Sequence, residues 1–213
     1  MDTSLFKEIN SLAVTISWAN PIFKFFAVYA VFLFGPLTLL SWWFARRATR
    51  PVQAVAAAIW TAFGTLITVA LNQLIAHGVG RLRPYYSIKH VNLLVAKAHD
   101  FSFPSDHATT AGAVTAGLFI VSVLGSRKNR VIAFISLALA LVISFSRVYV
   151  GAHYPGDVTA GLIIGAAIVT LGWKLIHLPL EHLIGMIAQN RSLSPLVVAN
   201  REPSHTQSTK NLS

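Results

Sequence analysis

The sequence predicts an all-α integral membrane protein, a helical bundle of about five transmembrane helices preceded by an N-terminal interfacial amphipathic helix. Three observations predict this class. Apolar residues make up 54% of the 213 residues and charged residues only 11%, whereas soluble chains carry roughly 25% charged residues. The mean hydropathy is +0.62. Five apolar runs approach the length of about 20 residues that a helix needs to cross a bilayer core of about 30 Å.

The N-terminal segment, residues 1–20, has apolar side chains at helical spacing on one face. This spacing predicts an amphipathic helix that lies in the membrane interface rather than crossing it. The segment leads to no small-residue cleavage site, so we expect the first hydrophobic span to be retained. The apolar positions are Leu5, Phe6, Ile9, Leu12 and Ile16, with Lys7, Glu8 and Asn10 opposite.

A membrane domain, residues 21–177, contains the five predicted spans. Trp42 and Trp43 mark a membrane interface at the end of the first span, because tryptophan is enriched there. The remaining residues, 178–213, are predicted to form a cytoplasmic tail that is largely disordered from about residue 189, where Asn, Ser, Thr and Pro are frequent. The spans run approximately from Ile22 to Phe44, Val52 to Ala76, Ala108 to Leu124, Val131 to Val150 and Val158 to Ile176.

The charge distribution predicts the orientation. The net charge is +10, and in a membrane protein anionic headgroups and the positive-inside rule explain such an excess; no nucleic-acid partner is expected. The first and third connections between spans contain cations and no acid, which predicts that both are cytoplasmic. The second and fourth connections then face outward with the N-terminus. The cytoplasmic cations are Arg46, Arg47, Arg50, Arg127, Lys128 and Arg130.

The second connection, residues 77–104, is long for a compact helical protein, and such loops are usually functional or disordered. Its aromatic and aliphatic residues favour an ordered loop that packs at the interface. No cysteine is present, so the chain has neither a disulfide nor a thiolate nucleophile.

Three polar clusters stand at the outward ends of the spans. Each residue alone has an ordinary structural explanation, as an interfacial cation, a helix cap or an interfacial histidine. Chance is a poor explanation for the occurrence of all these residues at the same face of the membrane. The clusters are Arg81-Leu82-Arg83-Pro84, Pro104-Ser105-Asp106-His107, and Ser146-Arg147 followed by His153 and Asp157.

The chemistry of these residues is mutually consistent. Arginine offers paired donors that match phosphate oxygens, so Arg83 and Arg147 can neutralise a phosphoryl group. A helix that begins near Ser105 presents free N–H groups to an anion. Histidine can attack phosphorus and donate a proton near neutral pH. Asp157 is placed to accept the ring N–H of His153 and fix its tautomer. The pattern indicates binding and transfer of a phosphoryl group.

With these motifs the sequence resembles the type 2 phosphatidic acid phosphatase superfamily. The resemblance lies in Arg83-Pro84, in residues 104–107, and in the pattern S-R-x5-H-x3-D from Ser146 to Asp157. It implies a metal-independent phosphatase with no cofactor that works through a phosphohistidine. The implied roles are nucleophile for His153, orienting partner for Asp157, proton donor to the leaving oxygen for His107, and phosphoryl binding for Arg83, Ser105 and Arg147.

Two positions depart from the family pattern. The family's first motif normally has a lysine seven residues before its arginine, but this chain has Ala76 there. Arg81 is a candidate substitute, and an interfacial role for it is an equally good interpretation. Asp106 stands where glycine is commonest, and Phe-Pro-Ser-Asp-His resembles the bacitracin-resistance branch of bacterial undecaprenyl-diphosphate phosphatases. We expect Asp106 to face an arginine or a backbone donor.

These observations predict a multi-pass cell-membrane enzyme with its active site on the extracytoplasmic face. The expected reaction is hydrolysis of the terminal phosphate of a polyprenyl diphosphate carrier, as in cell-wall biogenesis. The alternatives are a phosphatidate or phosphatidylglycerol phosphate phosphatase, or a phosphotransferase with a lipid acceptor. A transporter is disfavoured because the spans themselves carry almost no charge. The sequence leaves the oligomeric state and the role of the tail open.

Overall fold

The computed structural model describes residues 2–199 of the chain. Over these residues the protein consists of α-helices, short 3-10 segments and loops, with no strand, so the predicted all-α class is confirmed. The helices are α1 Asp2–Thr15, α2 Asn20–Val28, α3 Phe34–Ala45, α4 Pro51–Val79, α5 Pro84–Ser87, α6 Asp106–Leu124, α7 Arg127–Tyr149 and α8 Pro155–Gln189.

Four helical stretches are long and apolar enough to cross a membrane. A fifth candidate combines Asp2–Thr15 with Ser17–Val28, which meet at an angle of 91°. The protein is therefore a multi-pass membrane protein. The four long stretches are Pro51–Ser87, Asp106–Leu124, Arg127–Tyr149 and Pro155–Gln189.

The predicted first span, Ile22 to Phe44, is wrong as one continuous helix. Helix α2 ends before Tyr29, and a 3-10 segment, Ala30–Leu33, separates it from α3. Pro36 lies in the first turn of α3 and has no N–H to bond to the carbonyl of Phe32 four residues earlier, so the regular helix cannot continue backward through this point.

Helices α6 and α8 pack closely along glycines. A Cβ added at Gly112 of α6 would collide with the backbone of Leu162, and one at Gly165 of α8 would collide with the backbone of Thr109. Small residues at a helix crossing allow such close approach in membranes. The contact also aligns the first turns of the two helices, because the backbone N–H of Ser105 donates to the carbonyl of Asp157 at 3.2 Å.

The bundle has two chemically distinct ends. The site end combines the last residues of α4 and α7 with the first residues of α6 and α8. The basic end combines the last residues of α3 and α6 with the first residues of α4 and α7, where Asn129 donates to the carbonyl of Ser41 at 2.7 Å. The cations of the basic end are Arg46, Arg47, Arg50, Arg127, Lys128 and Arg130.

Helix α1 packs against the site end. The ring of Phe6 lies 5.5 Å from that of Tyr154, centroid to centroid. Asn10, expected on the polar face, is instead buried and donates to the carbonyl of Tyr149 at 2.9 Å. One face of α1 is thus covered by protein, and the side-chain amide of Asn10 binds the last residue of α7.

The residues after α8 correct the prediction of disorder from about residue 189. Val197 is buried, the guanidinium of Arg46 donates to the carbonyl of Pro195 at 2.7 Å, and the N–H of Ala199 donates to the carbonyl of Arg46 at 3.0 Å. A short apolar run around Val197 outweighs the polar composition. The rest of the predicted tail, residues 200–213, lies outside the described residues.

Candidate active site

His153 lies in the short connection between α7 and α8, at the site end. The chain turns sharply at Gly151, whose φ of 81° is accessible mainly to glycine. After this turn the N–H groups of Ala152 and His153 both donate to the carbonyl of Arg147, at 3.1 and 3.3 Å. The loop is therefore fixed to the end of α7, and the imidazole of His153 is only 1% exposed.

The hydrogen bonds of His153 define its tautomer. Its Nδ1 lies 2.8 Å from the carbonyl oxygen of Ser102. A carbonyl only accepts, so Nδ1 carries the proton and Nε2 has the free electron pair. Nε2 accepts from Nη1 of Arg83 at 2.9 Å and from Nη2 of Arg147 at 3.1 Å. The nitrogen with the free electron pair therefore lies between two guanidinium groups.

The surroundings of His153 also favour its neutral form. Burial lowers the pKa of the imidazole well below its ordinary value, and the positive charges of Arg147 and Arg83 lower it further. A neutral imidazole with its proton on Nδ1 is the form that can act as a nucleophile through Nε2.

Both arginines also donate hydrogen bonds to groups on the side away from His153. Nη1 of Arg147 donates to the carbonyl of Ala27 at 3.0 Å, while its buried Nε has no hydrogen-bond partner within residues 2–199. Arg83 is 4% exposed and donates through Nε and Nη2 to the carboxylate of Asp100, each at 2.9 Å. Both guanidinium groups thus combine fixed orientation with donor capacity toward the site.

Asp100 is a site residue that the sequence analysis missed. Burial raises the pKa of its carboxyl, but the hydrogen bonds and charge of Arg83 outweigh this and hold that pKa below its ordinary value. Asp100 is therefore ionised when paired with Arg83, and it neutralises one of the two cations beside His153. It lies in the long second connection, where no spacing pattern marks it.

Asp157 is linked to His153 through Ser102 rather than by the expected direct contact. Its Oδ2 lies 3.8 Å from Nδ1 of His153, beyond hydrogen-bond distance. The same oxygen accepts from the hydroxyl of Ser102 and from the N–H of Tyr154 at 2.9 Å. Ser102 therefore connects the two: its hydroxyl donates to Asp157 and its carbonyl accepts from the imidazole. Sequence reasoning missed Ser102, although it lies three residues before Ser105.

Ser105 and His107 lie at the beginning of α6, as predicted. The hydroxyl of Ser105 is buried and has no hydrogen-bond partner within the described part of the chain. His107 faces a cavity of about 480 Å³ that it shares with both site arginines. The other residues that line this cavity are Val28, Tyr29, Val31, Phe32, Tyr85, Val95, Ala96, Ala98 and Ala152.

Arg81 lies apart from this cavity. Its Nη1 contacts Oδ1 of Asp157 and its Nη2 contacts Oδ2 of Asp2, both at 2.6 Å. Its guanidinium carbon stands 3.9 Å above the ring centre of Tyr154. The structure thus brings Arg81 to the carboxylate of Asp157 rather than to the cavity that Arg83 and Arg147 line.

Asp106 also points elsewhere than expected. Its Oδ1 accepts from the side-chain amides of Asn72 at 2.6 Å and Gln73 at 2.9 Å, so its partners are amides of α4 rather than an arginine or a backbone donor. With Ala76 it lines a separate cavity of about 410 Å³. The two amides bind one oxygen of this carboxylate, and neither of them is a cation.

The assembled groups fit phosphoryl transfer. They are a neutral imidazole nitrogen between two arginines, a helix N-terminus whose serine hydroxyl has no partner among residues 2–199, and a second histidine that lines a cavity with both arginines. Over residues 2–199 there is no group of three or more His, Asp or Glu side chains arranged to bind a metal ion. The structure is that of a helical membrane protein with a buried histidine between two arginines at one end of its bundle.

Comparison with known proteins agrees with this class. The profile of the PAP2 superfamily matches residues 57–179, more than half of the chain, and the chain belongs to this superfamily. The resemblance inferred from the three motifs is thereby confirmed.

Two curated relatives match over most of their length. The undecaprenyl-diphosphatase BcrC of Bacillus subtilis is 29% identical over 169 residues, which cover 79% of this chain and 80% of the relative. The undecaprenyl-diphosphatase of Sulfolobus acidocaldarius is 32% identical over 177 residues, covering 82% and 78%. Among solved structures, the PAP2-type phosphatidylglycerolphosphate phosphatase of Bacillus subtilis has a TM-score of 0.60 at 21% identity over 89% of each chain, which supports the fold.

Proposed function

We propose that this protein is a membrane lipid phosphatase that hydrolyses the terminal phosphate of a polyprenyl diphosphate through a phosphohistidine on His153. The observation that carries the proposal is the position of Nε2 of His153, which lies 2.9 Å and 3.1 Å from the guanidinium nitrogens of Arg83 and Arg147. A phosphoryl group that binds to both arginines stands directly before this nitrogen. The names of the two undecaprenyl-diphosphatase relatives support the substrate class.

The first step forms the phosphoenzyme. Oxygens of the terminal phosphoryl group accept the hydrogen bonds that Arg83 and Arg147 donate to the imidazole in the free protein. The hydroxyl of Ser105 and the first N–H groups of α6 donate to the same phosphoryl group. Nε2 of His153 attacks phosphorus, and the bond to the bridging oxygen breaks. His107, in its protonated form, gives its proton to that oxygen, so that the lipid leaves as its monophosphate.

The second step is hydrolysis of the phosphohistidine. Water attacks phosphorus, His107 accepts the proton of the water, and the bond to Nε2 of His153 breaks, which releases inorganic phosphate. Throughout both steps Ser102 and Asp157 keep the imidazole in one orientation, because the carbonyl of Ser102 holds the Nδ1 proton at 2.8 Å. Once the phosphorus–nitrogen bond has broken, Nε2 of His153 again faces the two arginines.

The proposal needs no metal ion, because fixed cations in a site that excludes water can stabilise the developing charge. Purified protein should retain its activity in a chelator, and vanadate should inhibit it by occupying the phosphoryl position. A loss of activity in EDTA that magnesium restores would contradict this part of the proposal.

Substrate class is tested by phosphate release from a panel of purified lipids. We expect a higher kcat/KM for a polyprenyl diphosphate than for phosphatidate or phosphatidylglycerol phosphate. Preference for a phospholipid would move the protein to the phospholipid phosphatases and leave the roles of His107, His153 and Asp157 unchanged. An added acceptor lipid distinguishes transfer from hydrolysis: a phosphorylated acceptor among the products would indicate a phosphotransferase.

The site end is proposed to face outward from the cell membrane, and the basic end to face the cytoplasm, following the positive-inside rule. Because the chain has no cysteine, single cysteines report accessibility without background. Cysteine in Ser126→Cys, at the basic end, should be shielded from an impermeant thiol reagent in intact cells. Cysteine in Ser87→Cys should react. The reverse pattern would place the active site in the cytoplasm.

A further inference from the structure

Arg81 bridges two carboxylates at the site end. Its Nη1 contacts Oδ1 of Asp157 and its Nη2 contacts Oδ2 of Asp2, both at 2.6 Å, and its guanidinium lies over the ring of Tyr154. The Arg81 side chain is 31% exposed and that of Asp157 is fully buried. A buried carboxylate is costly unless it is paired and hydrogen-bonded, and Arg81 is the cation in contact with this one.

Asp2 binds the first turn of α8 as well as Arg81. Its second oxygen, Oδ1, accepts from the backbone N–H of Gly156 at 2.8 Å. Gly156 lies in the first turn of α8 and immediately precedes Asp157. Asp2 therefore binds both Arg81 and the backbone beside Asp157, and it does so from helix α1, which is distant in sequence.

Hydrogen bonds connect Asp157 to His153, the proposed nucleophile, through Ser102. With Arg81 on Oδ1, the Oδ2 of Asp157 accepts from the hydroxyl of Ser102, and the carbonyl of Ser102 holds Nδ1 of His153 at 2.8 Å. Both oxygens of Asp157 are thus fixed. A shift of this carboxylate would move the Ser102 hydroxyl and, with it, the carbonyl that sets the direction of the imidazole.

We propose that Asp2 and Arg81 form a positioning pair for the catalytic carboxylate. Arg81 acts on the reaction through Asp157 rather than by binding the substrate, and helix α1 contributes to the active site by supplying Asp2. The proposal rests on the proposed function, since it requires that Asp157 and His153 take part in phosphoenzyme formation. It assigns the pair an effect on kcat and little effect on KM.

The test uses the full chain, four single variants and one double variant, all assayed for phosphoenzyme formation and turnover. Arg81→Met keeps an aliphatic side chain above the Tyr154 ring and removes the charge, whereas Arg81→Lys retains one charge. Asp2→Asn keeps an acceptor for the Gly156 N–H and removes the ion pair. Asp157→Asn provides the background for a double-mutant cycle with Arg81→Met.

We expect Arg81→Met to lower kcat by about 10- to 150-fold, the equivalent of a charged contact, with KM changed by less than about threefold. Arg81→Lys should restore part of the loss, and Asp2→Asn should lower kcat by about two- to fivefold. In the Asp157→Asn background, Arg81→Met should cost less than about twofold, because its route to the reaction is already broken.

Two results would overturn the proposal. A rise in KM at constant kcat in Arg81→Met would make Arg81 a substrate-binding cation, and losses that multiply fully in the double variant would show that it does not act through Asp157. Failure of the proposed function would look different, since Asp157→Asn alone would then retain full phosphoenzyme formation. If Arg81→Met does not purify as a folded protein, Arg81→Lys and Asp2→Asn carry the same test through their kcat and KM.

Discussion

The two ends of the bundle both gather arginines, yet they use them differently. At the basic end the guanidinium of Arg46 lies 4.6 Å and 4.1 Å from the ring centres of Trp42 and Trp43 and donates to a backbone carbonyl. At the site end Arg83 and Arg147 are similarly buried, but both donate to the same histidine nitrogen. Burial alone does not distinguish them; the partner does. Arg46 stacks on two aromatic rings, whereas Arg83 and Arg147 converge on one imidazole in the proposed reaction site.

The same contrast appears within two residues of one segment. Arg83 faces the cavity and His153, while Arg81 faces Asp2 and Asp157. Their sequence neighbourhood is shared and their partners are not. We therefore expect the loss of activity on removing an arginine to depend on which residue that arginine contacts.

The largest effect is expected from Arg83→Ala, which removes a cation that contacts both the nucleophile and the proposed phosphoryl position. We expect kcat/KM to fall by about 150-fold or more for every substrate, the upper end for loss of a charged contact. Phosphate release from purified protein measures it. Arg127→Ala at the basic end is the matched control and should stay within about twofold; equal losses in both variants would remove the distinction between the two ends.

An intermediate effect is expected from Ser102→Ala. The variant loses the hydroxyl that donates to Asp157 and keeps the carbonyl that holds His153. Because a hydrogen bond to a charged group is worth about 1.5 kcal/mol or more, we expect kcat to fall by about tenfold with KM nearly unchanged. Ser144→Ala serves as a control, since that buried hydroxyl has no partner among residues 2–199. Unchanged kcat in Ser102→Ala would mean that Asp157 does not orient the imidazole through Ser102.

Much of this site was predictable because its motif residues stand at the ends of apolar runs. Arg83, Ser105, His107, Arg147 and His153 all lie at one end of the bundle, as the alternation of spans requires. The residues that were missed or misassigned have partners that are distant in sequence. Ser102 and Asp100 lie in the long second connection, where only the three-dimensional path of the chain reveals their partners.

The fold shows the same limit. Four long helices follow from hydropathy, because hydrophobic runs of this length have few alternatives. The break at Tyr29 was not predicted, since the surrounding residues are apolar and only Pro36 signals it. Asn10 was assigned to the polar face by helical periodicity alone, and Asp2 was given no role. The contacts of both residues with the site end depend on how α1 folds back over the bundle.

A smaller effect is expected from pH. Burial and the charges of Arg147 and Arg83 lower the pKa of His153, so its neutral, nucleophilic form should persist below the ordinary value of about 6.5. Between pH 7.5 and pH 6 the rate of phosphoenzyme formation should therefore fall by less than about twofold from titration of this residue. The rate in single-turnover experiments across this range provides the measurement. A loss of phosphoenzyme formation with its midpoint at or above pH 6.5, retained in His107→Gln, would contradict a depressed pKa at His153.

The smallest effect on activity is expected from Arg46→Ala. The variant loses its stacking on Trp42 and Trp43 and its hydrogen bond to Pro195. A cation–π contact is worth about 2 kcal/mol when it is desolvated, and Arg46 is buried, so the midpoint of thermal unfolding in detergent should fall by several degrees while kcat/KM stays within about twofold. A large loss of activity without loss of stability would show that the basic end takes part in the reaction.

The most direct test of the central claim is the site of phosphorylation. After the protein is mixed with a diphosphate lipid labelled in its terminal phosphate and rapidly quenched in base, mass spectrometry of its peptides should place an acid-labile phosphoryl group on His153. The His153→Ala variant should carry no label, and His107→Ala should acquire it more slowly. A normal level of label in His153→Ala, or label on His107 in the wild-type chain, would contradict the account.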